Sequence, residues 1–437
     1  MKEINRKILA IALPAIASNI TTPLLGMIDT AIVGHIGSAA YIGAIAVGSS
    51  MFSMLYWLFG FLRMGSSGLT AQSLGKGDHT ACNALLYRAL AVGLGVGLLM
   101  ILFSGPLGRT ALDFLDADPA TRSLAARYFS LVIYGAPAVM CTFALSGWLL
   151  GMQNSRTIMW MAMITNVVNI TVSFTLVFGV GMRIEGVAIG TVCAQWIGVI
   201  YGLTAAMRIY RPGQPAWHEV LHIGHMLRFF KINTDIFLRT VCLVAVTVWF
   251  TRSGARQHVE ILAANTLLMQ LFLFFSYFMD GFAYAGEALS GKYLGMRSYD
   301  MLHRTVKALM VWSAMLSVLF AMLYLGCGRL IISLLTDNSH VLSVAMEFLP
   351  WIVAVPLVGV LAFVFDGIFI GMTNTRSMLI SMLVATALFF GLYILLFPHM
   401  SNHGLWLAFI AYLLVRGIVL GVIYRRHSAR WQNKIQT

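Results

Sequence analysis

The sequence predicts an all-α protein that crosses a membrane twelve times, as two six-helix lobes forming a parallel pseudo-twofold repeat. Three observations carry this: a shortage of charge, a succession of long apolar runs, and motifs that recur at a constant spacing. Of 437 residues, 59% are hydrophobic and only 10% are charged. A soluble domain carries roughly 25% charged residues, so most of the outer surface must face something other than water. The 40 glycines fit the same reading, because Gly is more frequent in membrane helices than in soluble ones. The net charge of +13 does not indicate nucleic acid, since the basic residues lie in short segments between apolar runs. The five cysteines are scattered without CxxC or Cys/His spacing and read as small buried hydrophobes. No catalytic triad, Walker signature or metal motif is present, so neither an enzyme nor a cofactor is expected.

A helical span needs about 20 mostly apolar residues. Runs of that kind cover 8–33, 42–73, 85–107, 124–151, 157–180, 186–207, 226–251, 260–290, 305–332, 341–371, 377–397 and 404–424. The first follows the charged lead Met1 to Lys7 and is too long for a cleavable signal. It holds Pro14 and Pro23, each of which frees a backbone carbonyl and permits a bend. Several runs exceed 25 residues, so tilts and kinks are expected. None shows the alternation of a membrane barrel.

Lys and Arg set the orientation. With twelve spans, 19 fall on the side of the two termini, 7 on the other side and 3 inside spans. Both termini of this multi-pass membrane protein are therefore expected in the cytoplasm. The longest polar break, Arg208 to Lys231, holds Pro212, Pro215, His218, His222 and His225. The histidine spacing is a weak metal signal without a carboxylate, and the segment reads as a linker. The expected division is an N-terminal lobe at 1–210, a cytoplasmic linker at 211–225 and a C-terminal lobe at 226–437.

The repeat supports that division. Shifted by 220, Gly151-Met-Gln-Asn-Ser-Arg156 falls on Gly371-Met-Thr-Asn-Thr-Arg376, Gly108-Arg109 on Gly328-Arg329, and Gly147 on Gly367. Six spans per copy gives both copies one orientation, related by an axis along the membrane normal. Two such bundles suit alternating access around a central cavity.

Charges inside spans cost at least about 2.5 kcal/mol at a helix centre on insertion scales, and they mark function by default. They are Asp29, Arg63, Asp235, Arg239, Asp280, Glu287, Asp366 and Arg416. Asp29 has no basic neighbour in sequence and sits on the helix that carries Pro14 and Pro23, where proton binding can be coupled to bending. Asn166, Asn169 and Ser173 share one helix face, and Thr191 on the next span can join them. Together with Asp29 they can form a polar pocket in the first half, and interhelical hydrogen bonding explains the set equally well. Asp235 and Arg239, four apart, are placed to pair. Asp280, Glu287 and Asp366 form either a second acidic site for a proton or cationic substrate, or an ion-pair network with Arg239. Met27, beside Asp29, is a cavity candidate because Met adapts to varied ligand shapes.

These residues resemble the multidrug and toxic compound extrusion (MATE) transporters, in the branch named for DNA-damage-inducible protein F. The carriers are Ala12-Leu-Pro-Ala15, Asp29-Thr-Ala-Ile-Val-Gly-His-Ile-Gly37, Ala71-Gln-Ser-Leu-Gly-Lys-Gly-Asp78, Gly186-Val-Ala-Ile-Gly-Thr191 and Asp280-Gly-Phe-Ala-Tyr-Ala-Gly-Glu-Ala-Leu289. The resemblance implies export of small molecules, organic cations or amphipathic compounds, by proton or sodium antiport. It implies that Asp29 is the ion-coupling acid, that Pro14 bends its helix, and that Asn169 and Thr191 belong to the cation site. The family's fifth-span asparagine is commonly followed four residues later by an aspartate; here that position is Ser173. A sodium site at Asp29, Asn169 and Thr191 would lack that charge, which favours proton coupling. A flippase for lipid-linked substrates needs a basic cavity, whereas five acids outnumber three bases within the spans. A monomer is expected. The shifted partner of Asp29 is Trp249, so ion coupling is expected in the first half.

Overall fold

Each apolar run becomes helix, and every regular element among the described residues is helical. The structure, a computed structural model, describes residues 2–34, 39–115, 119–214, 217–220 and 222–436. The side chains of 22–27, which include the predicted Pro23 and Met27, lie outside the described set.

The elements are α1 (Lys2–Gly34), α2 (Ala39–Leu58), α3 (Phe61–Gly75), α4 (His79–Leu102), α5 (Ser104–Leu115), α6 (Pro119–Val132), α7 (Ala136–Gly151), α8 (Ser155–Phe174) and α9 (Ile184–Tyr210). A short α10 (Trp217–Val220) precedes α11 (Ile223–Ala255), α12 (Val259–Gly295), α13 (Tyr299–Leu335), α14 (Ser339–Gly371) and α15 (Thr375–Gln436). Among the described residues, ten stretches are long and apolar enough to cross a membrane. One of them, Thr375–Ala429, has 55 residues. At about 1.5 Å per residue it is more than twice as long as a hydrocarbon core of about 30 Å. Ser401, at φ 48° and ψ −124°, breaks it into two spans. With α1, whose 33 residues hold the first apolar run, the spans number twelve.

The long runs are accommodated by breaks, as their lengths predict. The second span turns at Phe59 and Gly60 between α2 and α3, and the fourth passes through a 3-10 turn at Ile133–Gly135. The fifth ends in a π turn at Thr175–Gly179. Helix starts follow side-chain caps: Asp78 accepts from the Ala81 amide at 2.8 Å and Asn154 from the Thr157 amide at 3.1 Å. Such caps satisfy amides that have no partner within the helix.

The repeat at 220 extends to the backbone. The span 39–75 corresponds to 259–295, 79–115 to 299–335, and 119–151 to 339–371, while α8 starts at 155 and α15 at 375. The turn after α3 closes Gly77 N–H on Leu74 O and Asp78 N–H on Ser73 O; its counterpart closes Arg297 on Leu294 and Ser298 on Tyr293. Positive φ recurs at Gly77 (74°) and Arg297 (55°), and again at Gln153 (64°) and Thr373 (53°). The repeated glycines have one reason. A Cβ on Gly147 would strike the Arg63 backbone, and a Cβ on Gly367 would strike the Ala283 backbone. Glycine lets α7 close on α3, and α14 on α12, backbone to backbone.

The chain divides into two compact units, Pro14–Asn233 and Met1–Leu13 with Thr234–Thr437. These boundaries differ from a cut on either side of a 211–225 linker. They fall inside α1, at Pro14, and inside α11, because each of these helices passes from one unit to the other. The linker is held within the first unit. Arg88 on α4, itself buried, donates to Val220 O at 2.8 Å and to Glu219 O at 2.7 Å. These carbonyls end α10, where intrahelical partners run out, and Glu219 O also takes the His222 amide at 3.4 Å. Tyr87 donates to Gly213 O at 3.0 Å.

Candidate functional site

In the first unit, α8 and α9 run close together because Gly190 has no side chain: a Cβ there would strike Ser173. The close approach brings Asn169 Nδ2 to Thr191 Oγ1 at 3.0 Å, while Thr191 itself donates to Val187 O at 2.9 Å. Asn166 donates to Thr21 O on α1 at 3.2 Å, tying α8 to the helix that carries Asp29. Asp29, Asn169 and Ser173 are all buried. Among the described residues, Asp29 Oδ1, Asn169 Oδ1 and Ser173 Oγ have no hydrogen-bond partner. Leaving a buried acceptor unmet costs about 1–3 kcal/mol. Three such atoms, on α1 and α8, leave this part of the first unit polar and incompletely satisfied.

Sequence reasoning missed Tyr128 on α6. It is buried, and its hydroxyl is within hydrogen-bonding reach of Thr191 and Ser49 and in the field of Asp29. It therefore links the Asp29 side of the centre to the Asn169–Thr191 side. The available signal was the repeat, since its shifted partner is Phe348, which lacks the hydroxyl.

The second unit is organised differently. Asp366 on α14 accepts from Arg239 on α11 and from Arg416 on α15, both through Oδ2. All three side chains are buried. Arg239, paired with Asp235 in the sequence reading, thus reaches across to α14. Asp235 accepts from Thr375 Oγ1 at 3.1 Å and faces Arg376 at 3.6 Å. Asp280 lies in the field of Arg416. Glu287, seven residues further along α12, is buried. Of the two readings left open for the second-half acids, the geometry of Asp366 is that of an ion-pair network.

At the other end of this unit a second network escaped the sequence. Asn265 Nδ2 donates to Asn402 Oδ1 at 2.8 Å, Asn402 Nδ2 returns a bond to Asn265 Oδ1 at 3.0 Å, and Trp406 Nε1 joins at 3.0 Å. It holds the break at Ser401 against α12.

Twelve helices in two lobes, with a buried polar centre in each, define a class: a two-lobed helical membrane transporter. Residues 14–175 and 235–394 match the MatE family model, and the chain belongs to that family. The two matched stretches follow the repeat, one in each half. The chain is 38% identical over 430 residues to DNA damage-inducible protein F of Escherichia coli, covering 97% of this chain and 92% of that one. It is 24% identical to a probable multidrug resistance protein NorM of Geobacillus kaustophilus, covering 97% and 96%. Among solved structures it resembles a MATE in the bent conformation, with a TM-score of 0.87 at 15% identity over 99% and 97% of the two chains. It also resembles a MOP superfamily transporter from Pyrococcus furiosus, with a TM-score of 0.86 at 15% identity over 98% and 97%. Members of the family are transporters of small molecules, not enzymes.

Proposed function

We infer that the protein is a proton-driven antiporter that exports small organic cations or amphipathic compounds by alternating access, with Asp29 as the protonation site. One observation carries this. Asp366 and Asp235 face guanidinium groups, whereas no basic group among the described residues pairs with Asp29, which is buried with one oxygen unmet. An ionised carboxylate in that setting is poorly compensated, so proton binding changes its energy strongly. When protonated, it becomes a neutral hydrogen-bond donor; when ionised, it attracts a cation. Bending at Pro14 transmits the change. The boundary between the two units falls at Leu13 and Pro14, which suits a hinge.

Sodium coupling at Asp29, Asn169 and Thr191 is the second reading. Ser173 supplies oxygen but no charge, leaving one carboxylate to offset cation dehydration. The reading also includes a monomer in the bacterial inner membrane with both termini in the cytoplasm. The test is efflux from proteoliposomes under separate proton and sodium gradients. The expected result is proton-driven export that is lost in Asp29→Asn. Export driven by sodium alone overturns proton coupling, and full activity of Asp29→Asn overturns the role of Asp29.

A further inference from the structure

Two exposed apolar stripes on the second unit end in basic residues at the same membrane face. On α13, Val311, Met315, Val318 and Met322 are exposed, and the next steps toward the start of the helix are Lys307 and Arg304, both exposed. On the last piece of α15, after the Ser401 break, exposed Leu414, Ile418 and Val422 lead in the same way to exposed Arg425. Spacings of three and four keep each stripe on one helix face. An exposed apolar stripe on a spanning helix lies against acyl chains, so the basic residue that ends it lies at the level of the headgroups.

The fold joins the ends of these two helices. Trp431 stacks on Tyr299, the first residue of α13, at 5.3 Å and 10°. His427 stacks on Trp431 at 5.9 Å and 28°, and its Nε2 lies 3.2 Å from Asn374 Nδ2. At this junction α13 runs away from the membrane face and α15 runs toward it. At about 100° per residue, Lys307 lies about 80° around α13 from Tyr299, and Arg425 about 120° around α15 from Trp431. The opposite running directions turn both to the same side of the junction, and Arg426 to the other. Among the described residues no acid pairs with Lys307 or Arg425, whereas Arg304 faces Asp300 at 3.0 Å. The first unit has no such site: shifted by 220, Arg304 falls on Ala84 and Lys307 on Tyr87, and Tyr87 is bonded to the linker at Gly213 O.

We propose that the junction of α13 and α15 binds an anionic phospholipid, with its phosphate and headgroup between Lys307 and Arg425 and its acyl chains along the two stripes. The residues after the span at 404–424 agree in sign: 425–437 holds Arg425, Arg426, Arg430 and Lys434 and contains no Asp or Glu. A cluster of four or more Lys and Arg directly after a span attracts anionic lipid. A soluble anion would use the charges alone, whereas a phospholipid uses the charges and the apolar stripes that lead to them. The site depends on the spans and not on which ion drives transport.

The test is native mass spectrometry of the purified full-length protein in a neutral detergent, titrated with phosphatidylglycerol or phosphatidylcholine. Wild type is expected to prefer phosphatidylglycerol. At roughly fivefold per basic residue, Lys307→Gln with Arg425→Gln should weaken phosphatidylglycerol roughly twentyfold and leave phosphatidylcholine within about twofold. Arg426→Gln, on the other side of the junction, should leave both within about twofold. Thermal unfolding without lipid checks that the double variant folds, and each single variant, expected to lose roughly fivefold, carries the test if it does not. Equal affinity of wild type for the two lipids overturns the site, as does unchanged phosphatidylglycerol binding in the variants. An equal loss in Arg426→Gln means diffuse surface charge and also overturns it. Displacement of phosphatidylglycerol by an equal concentration of glycerol 3-phosphate overturns the assignment to lipid.

Discussion

At the scale of single residues, the lack of a basic partner among the described residues separates Asp29 from Asp235 and Asp366. Asp366 is as buried as Asp29, at 7% exposure each, yet two guanidinium groups donate to it. Removing its charge takes from two buried cations the carboxylate they share, so Asp366→Asn is expected to destabilise the protein by about 3–5 kcal/mol. Thermal unfolding in detergent reads this, and adding Arg416→Met should recover part of the loss. Unchanged stability in Asp366→Asn would show that the triad is not an ion-pair anchor. Tyr128 calls for a milder change. Tyr128→Phe keeps the ring and removes the hydroxyl that reaches Thr191 and Ser49. The expected outcome is a loss of about 0.5–1.5 kcal/mol together with slower proton-driven efflux. A stability loss without any change in efflux would confine Tyr128 to packing.

At the scale of helices, the structure relies on close contacts and on pinned breaks. Gly147 and Gly367 occupy equivalent backbone-to-backbone contacts, so Gly147→Ala and Gly367→Ala should each cost about 1–3 kcal/mol through overpacking. Similar losses in the two unfolding curves would confirm that the repeat holds in packing as well as in sequence. At the Ser401 break, Asn265→Leu leaves Asn402 and Trp406 without their shared partner. A loss of at least about 1–3 kcal/mol is expected, and a neutral result would mean that the break is held by other contacts. Arg88 fixes the linker through two carbonyls. Limited proteolysis should therefore cut Arg88→Met faster than wild type within 211–222, with transport measured alongside to show whether the tether also matters for turnover.

At the scale of the whole chain, a repeated architecture carries unequal chemistry. Substrate-induced proton release, measured in weakly buffered detergent solution, is expected to disappear in Asp29→Asn and to persist in Asp235→Asn, because Asp235 already faces Arg376. Proton release that survives Asp29→Asn would move the coupling site elsewhere.

Twelve spans, a repeat at 220 and the singular position of Asp29 were legible in the sequence. Apolar length, glycine spacing and the presence of a charge in a span are local properties that need no knowledge of neighbours. Membership of the MatE family was legible on the same grounds, from motifs spread along the chain. What was not legible is which side chains meet. Arg239 lies four residues from Asp235, and the sequence left it open between that pair and a network with Asp366; the folded chain carries its guanidinium to Asp366, 127 positions away, and adds Arg416 to it. Tyr128 looked like one more aromatic in an apolar run until α6 placed its hydroxyl beside Thr191. Arg88 counted only as a basic residue near a membrane face until α10 ended against it. Periodicity determines which face of a helix a residue occupies, but partners are chosen by how the helices pack, and that is a property of the tertiary structure alone.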